Sequence, residues 1–151
     1  MLSQKARYAL RALVEVARAN APDGQLTTAE IAERADAPRK FLEAILLELT
    51  RRGLLVSRRG KFGGYVLARP ADEISFAEVI RVIDGPLALA PCVSKTAFRK
   101  CHDCPTLEGC PLRGALLAAR DATAEVLDRY SLADAVTGVG DAPVELALTP
   151  R

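Results

Sequence analysis

The chain has 151 residues and a mass of 16.2 kDa, which suits one compact domain with an appendage. Half of the residues are hydrophobic, so a sizeable core is available and wholesale disorder is excluded. The net charge of +2 hides an asymmetry: residues 1–69 hold 13 Lys/Arg against 7 Asp/Glu, whereas residues 70–151 hold 8 against 12. A basic front half points to a polyanionic partner, and an acidic back half to a different job. No apolar run approaches the ~18 residues that span a bilayer. The start, Met1-Leu2-Ser3-Gln4-Lys5, turns charged too soon for a signal peptide. A soluble cytoplasmic protein with no membrane partner is expected.

Along the chain, Ser3 is placed to cap a helix running to about Asn20, with Ala6, Leu10, Leu13, Val14 and Ala17 on one face. Asn20-Ala21-Pro22-Asp23-Gly24 breaks it. Thr27-Thr28-Ala29-Glu30 reads as a capping box opening a short helix. Asp36-Ala37-Pro38 is a tight turn into a second helix, about Pro38 to Arg52, with Phe41, Leu42, Ile45, Leu46 and Leu49 facing inward and Gly53 as its stop. Short helix, turn and amphipathic helix make a helix-turn-helix, a pattern that other all-α domains share.

Leu54–Ser57 and Tyr65–Arg69 read as two strands. The glycine-rich tip Arg58-Arg59-Gly60-Lys61-Phe62-Gly63-Gly64 joins them. From Arg51 to Gly64 there are five basic residues and no acidic one. A cationic hairpin directly after a recognition helix is a wing, whose charges neutralise phosphates beside the groove. A phosphate-binding loop is excluded, because the G-x-x-x-x-G-K-[ST] spacing is absent.

In the back half, Ser75-Phe76-Ala77-Glu78 reads as another capping box, opening a helix with Phe76, Val79, Ile80 and Ile83 on one face. Residues 87–110 lack periodicity and hold all four cysteines, spaced C-x8-C-x2-C-x5-C. A long helix follows from Pro111 to about Tyr130, with a heptad-like seam of Leu112, Leu116, Ala119, Thr123, Val126 and Tyr130. That seam predicts pairing with a second protomer. Ser131-Leu132-Ala133-Asp134 caps one last turn, and 138–151 is a flexible tail. Clustered cysteines in a reducing compartment bind metal or sense redox state more often than they form disulfides. From the residues alone, an iron–sulfur cluster, a thiol switch, structural zinc and inert thiols all stay open. One histidine, His102, and no nucleophile–base spacing argue against an enzyme.

Two segments carry a resemblance. Leu42–Ser57 looks like a recognition helix leading into a wing, and Arg59-Gly60-Lys61-Phe62-Gly63-Gly64-Tyr65-Val66-Leu67-Ala68-Arg69 looks like an "RG..GGY.LAR" wing. The chain thereby resembles, over about residues 1–136, the Rrf-two family of winged-helix transcriptional regulators. That family includes the iron–sulfur cluster regulator, the nitric-oxide-sensing repressor and the rhizobial iron regulator. The resemblance implies a homodimer on a palindromic operator in double-stranded DNA. It also implies a [2Fe-2S] or [4Fe-4S] cluster on three cysteines beyond the wing, matching Cys92, Cys104 and Cys110, with zinc as the alternative metal. Cys101 lies in an extra stretch and is a fourth ligand, a resolving thiol or a bystander. Where some members use a histidine this chain has Arg113, and where others use an acidic residue it has Tyr8.

The resulting expectation is a mainly α protein with a small β-hairpin wing. Its parts are a winged helix-turn-helix (1–85), a cysteine-bearing sensor loop (86–110), a dimerisation helix (111–137) and the tail. Thr28, Arg39, Lys40, Glu43, Arg58, Arg59, Lys61 and Tyr65 are the candidate DNA contacts. Glu43 falls on a position linked by the resemblance to operator choice, since a carboxylate accepts from cytosine N4. The competing role for Glu43 is an i,i+4 ion pair on a solvated face. A metal- or redox-responsive module that binds protein is the competing function.

Overall fold

A computed structural model describes residues 2–19, 24–60, 63–104 and 106–138. The first break (20–23), Lys61 and Phe62 of the wing tip, and the tail beyond Gly138 lie outside the described residues.

Helix α1 spans Gln4–Arg18, capped by the Ser3 hydroxyl, which accepts from the Ala6 N–H at 3.0 Å. Its small face, with Ala6, Ala9, Ala12 and Leu13 fully buried, forms the axis of the core. Small residues let the other helices approach closely there. Helix α2 spans Thr28–Arg34 and starts with the expected capping box. The Thr27 hydroxyl accepts from Glu30 N at 3.3 Å, and the Glu30 carboxylate accepts from Thr27 N at 2.8 Å. Asp36 takes φ +49° in the turn that follows.

Helix α3 spans Arg39–Arg51 and buries Leu42, Ile45, Leu46 and Leu49 completely. Phe41 does not face inward; it is 44% exposed. One residue is 100° of helical turn, so Phe41 falls off the edge of the stripe centred on Leu42 and Leu49. It packs edge-on against Tyr8 of α1 instead, with ring centroids 5.8 Å apart.

Strands β1 (Leu55–Arg58) and β2 (Gly64–Leu67) pair antiparallel, with Leu55 opposite Leu67 and Arg58 opposite Gly64. Leu26 adds a third rung against Tyr65 through two backbone hydrogen bonds of 2.8 and 3.2 Å. The glycine at 64 is required by this approach, because a Cβ there would lie 2.7 Å from the Leu26 carbonyl oxygen.

Helix α4 spans Phe76–Ile83. The Ser75 hydroxyl caps it at Glu78 N, 3.2 Å, but the second half of the predicted box is missing. The Glu78 carboxylate turns instead to Arg69 at the end of the wing, 2.6 Å away, because a charged partner outcompetes a neutral amide. Among its described residues the cysteine segment holds one short 3-10 turn, Pro91–Val93, and no α-helix. Helix α5 spans Arg113–Arg129 and begins two residues after Pro111, with no side-chain cap.

Helix α6 spans Leu132–Thr137 behind a full Ser131/Asp134 capping box. It is longer than the single turn expected, and it returns to the winged-helix core. Leu132 has no exposed surface and joins Leu13, Ile74 and Val79 in the hydrophobic cluster. The architecture is thus mainly helical with a two-stranded wing, as the sequence predicts. None of the described helices is long and apolar enough to cross a membrane.

Candidate nucleic-acid interface and thiol centre

The fold brings four of the predicted DNA-contacting residues to one groove. Thr28 in the first turn of α2, Arg39 at the start of α3, Arg58 at the end of β1 and Tyr65 in β2 line a groove of about 300 Å³. Lys40 and Glu43 are exposed on α3, and Arg59 is exposed at the wing tip. Lys61 lies outside the described residues. Glu43 pairs with Arg39 at 3.5 Å across one turn, both well exposed. Lys40, Arg51, Arg52, Arg58 and Arg59 make no salt bridge among the described residues. Their charge is therefore available to an outside polyanion. Arg69 is different: it ends the wing motif but is spent on Glu78. Lys5 of α1 braces α3 through Glu48 at 2.6 Å, a tie that no local pattern announced.

The thiol centre lies between α4 and α5. Cys92 sits on the 3-10 turn and is buried; Cys101, Cys104 and Cys110 are half-buried, and all four are free thiols. They lie near one another: Cys92 is influenced by Cys101 and Cys110, and Cys104 by Cys110 and Cys101. Contact with Cys101, followed by burial, holds the Cys92 thiol above its ordinary pKa. Burial, then Cys110, pushes the Cys104 thiol up to about 11. Neighbouring thiols disfavour a thiolate at Cys92 and at Cys104, because like charges repel. A bound cation reverses that repulsion and deprotonates its ligands.

Cys101 and Cys104 also bring their sulfurs within 4.8 Å of each other and of an Asp103 carboxylate oxygen. This places Cys101, whose role the spacing left open, inside the thiol cluster. His102 is exposed. Four converging sulfur donors with an adjacent carboxylate fit a soft or borderline metal, as iron–sulfur clusters and zinc require. Hard-cation chemistry is a poor match for that donor set.

Arg120 received no role from the sequence. Its side chain is only 13% exposed, on a helix that has no buried residue. The guanidinium donates through Nη1 to the Val93 carbonyl at 2.6 Å, and through Nε and Nη2 to Asp121 at 3.1 and 2.6 Å. Asp121 also pairs with Lys95 at 3.2 Å. The bond to Val93 joins positions 27 residues apart, beyond the reach of any sequence pattern.

The family model of Rrf2, described as an iron-dependent transcriptional regulator, matches residues 2–138. An rrf2-like HTH-type transcriptional regulator of Rhodobacter capsulatus is 44% identical over 116 residues, covering 75% of this chain and 77% of that protein. Among solved structures, CymR, the global cysteine regulator of B. subtilis, superposes with a TM-score of 0.73 at 30% identity, over 91% of this chain and 97% of its own. IscR of T. potens gives 0.70 at 26% identity, over 95% and 90%. The fold and the cationic groove define a winged-helix transcriptional regulator. The chain belongs to the Rrf2 family, whose members are DNA-binding regulators rather than enzymes.

Proposed function

We propose that this chain is a cytoplasmic homodimer that reads a palindromic operator and senses iron, redox or nitric-oxide state through an iron–sulfur cluster on Cys92, Cys101, Cys104 and Cys110. The observation that carries the reading is the convergence of all four thiols at the entrance to α5. A cluster bound there supplies a change of charge and ligation that depends on iron and oxidant. The chain's own residues do the rest. Cys104 and Cys110 hold the loop that leads into α5, and Cys92 with Cys101 holds its other end.

Helix α5 suits a protomer interface. Leu112 is 65% and Val126 41% exposed, and no residue of the helix is buried by the chain itself. Of the expected seam, Leu116, Ala119 and Tyr130 are half-buried, and Tyr130 meets Phe76 edge-on at 5.1 Å. A two-fold pairing through this face sets the two α3 helices about 34 Å apart, one turn of B-DNA. Arg39, Lys40 and Glu43 then meet base edges, while Thr28, Arg58, Arg59, Lys61 and Tyr65 hold the backbone. The Arg39–Glu43 pair opens at little cost, since exposed i,i+4 pairs are worth only about 0.5 kcal/mol.

The closeness of the free thiols also favours a second reading, a dithiol switch. Two neighbouring thiols become a disulfide when a peroxide accepts two electrons and two protons and leaves as water. Anaerobic purification separates the readings. Brown protein with visible absorption and matched iron and sulfide supports the cluster. Colourless protein whose operator affinity follows peroxide supports the switch, and colourless protein with one zinc per chain overturns both.

A further inference from the structure

We propose that Arg120 is the positioning residue through which the state of the thiol site reaches α5. The inference rests on the thiol-sensing reading above and adds the part that transmits the signal.

Arg120 is drawn inward, its side chain only 13% exposed, on a helix with no fully buried residue. Its planar fork serves two directions at once, one nitrogen to the Val93 carbonyl and two to Asp121. Lys95 closes the ring by pairing with the same Asp121. The Val93 carbonyl and the Lys95 side chain are thus both tied to two adjacent residues of α5. Val93 directly follows Cys92 and ends the 3-10 turn that carries it. Cys92 in turn neighbours Cys101 and Cys110 in the thiol cluster.

A change of ligand or partner at Cys92 therefore moves the carbonyl that Arg120 holds. Charge-assisted hydrogen bonds are short and directional, so a shift of one ångström either breaks the bond or carries α5 with it. Lysine cannot replace this fork, because a single ammonium does not present two fixed donor edges. Beside Arg120 lies a cleft of about 470 Å³, lined by Leu87, Leu89, Ala119 and Leu127. It gives the 84–89 segment and α5 room to shift relative to each other.

The test uses the full chain and an operator selected from random duplexes. Each protein is reconstituted anaerobically with ferrous iron and sulfide, or stripped with a chelator, and operator affinity is measured in both states. The wild type is expected to differ by at least about fivefold between states, the lower end of ordinary allosteric coupling. In Arg120→Ala the ratio falls to within about twofold of one, the scale of no coupling. Its iron content, visible spectrum and stripped-state affinity stay at wild-type values. Arg120→Lys recovers part of the ratio, and Asp121→Ala, on an exposed carboxylate, loses part of it.

Full coupling in Arg120→Ala with normal iron overturns the proposal and leaves the sensing reading intact. Loss of iron from Arg120→Ala also overturns it, because the residue then builds the site rather than transmitting from it. A wild-type ratio of one refutes the sensing reading, and this inference falls with it. If Arg120→Ala does not fold, Asp121→Ala decides: normal iron with an unchanged ratio counts against the proposal, and normal iron with a reduced ratio supports it.

Discussion

The backbone N–H of Leu132 donates to the carbonyl of Ile74 at 2.9 Å. Two residues earlier, the Tyr130 carbonyl accepts from Phe76 N at 2.8 Å. Together these bonds make a small antiparallel bridge that returns the chain to the head after α5. The Leu132 side chain completes the join by entering the buried cluster that also holds Leu13, Ile74 and Val79.

Leu132→Ala is expected to cost about 3 kcal/mol, the usual cost of deleting a fully buried leucine. Urea unfolding followed by circular dichroism measures it. Leu132→Met, which keeps the volume, should cost under about 1.5 kcal/mol. Equal stability of the alanine variant and wild type would refute the assignment of α6 to the core.

Gly64→Ala is expected to push β2 off Leu26, because its Cβ would meet backbone atoms at 2.7 and 2.9 Å that have no side-chain freedom to yield. A destabilisation of about 1–3 kcal/mol follows from overpacking of this kind. Helix content should survive while operator affinity drops. A crystal structure showing the Leu26–Tyr65 bonds intact in this variant would contradict the reading.

Arg59→Ala is expected to weaken binding to all duplexes alike and to lower the salt slope by about one. Arg69→Ala is the contrast, since Arg69 is already paired with Glu78. Its effect belongs in the unfolding curve, with an unchanged salt slope. Fluorescence anisotropy across a salt series reads both.

The tie between α4 and α5 carries its own pH dependence. Arg81 donates to both oxygens of Asp128, at 2.6 and 2.9 Å, and these bonds hold the Asp128 carboxyl below its ordinary value of 3.8. A depressed folded pKa gives stability that is present above the unfolded value and lost as pH falls through the folded one. Wild type and Asp128→Asn should therefore differ at pH 7 and converge as pH falls below the ordinary carboxyl value of 3.8 and through the depressed one. Parallel stability curves down to the lowest pH would show that the pair contributes nothing.

The helices and the wing were legible because their signals are local. Ser3, Thr27 and Ser131 announce helix starts, and Gly53 and the glycines of 60–64 announce turns. Phe41 was misread because an apolar residue beside a stripe looks like part of it until the helix is turned by its 100° steps. Glu78 was misread because a capping box and an ion pair compete for one carboxylate, and only the fold brings Arg69 near. The DNA-reading residues were legible as chemistry, but the groove that gathers Thr28, Arg39, Arg58 and Tyr65 needed the tertiary fold. The spacing C-x8-C says nothing about where an irregular loop doubles back, so the nearness of Cys101 to Cys92 was hidden. Arg120 was invisible for the same reason, since its partners are fixed by packing rather than by periodicity.

Helix α5 is fastened at both ends, by the thiol segment before Arg113 and by the bridge at Tyr130 and Leu132. A rod so held cannot slide along its axis without tearing the core. In the proposed sensing, a push at its thiol end would tilt it about the bridge. Its 17 residues make a lever of roughly 25 Å, so a ~2 Å displacement at one end is a rotation of only about 5°. Angular motion of that size changes the direction in which the exposed face of the lever points.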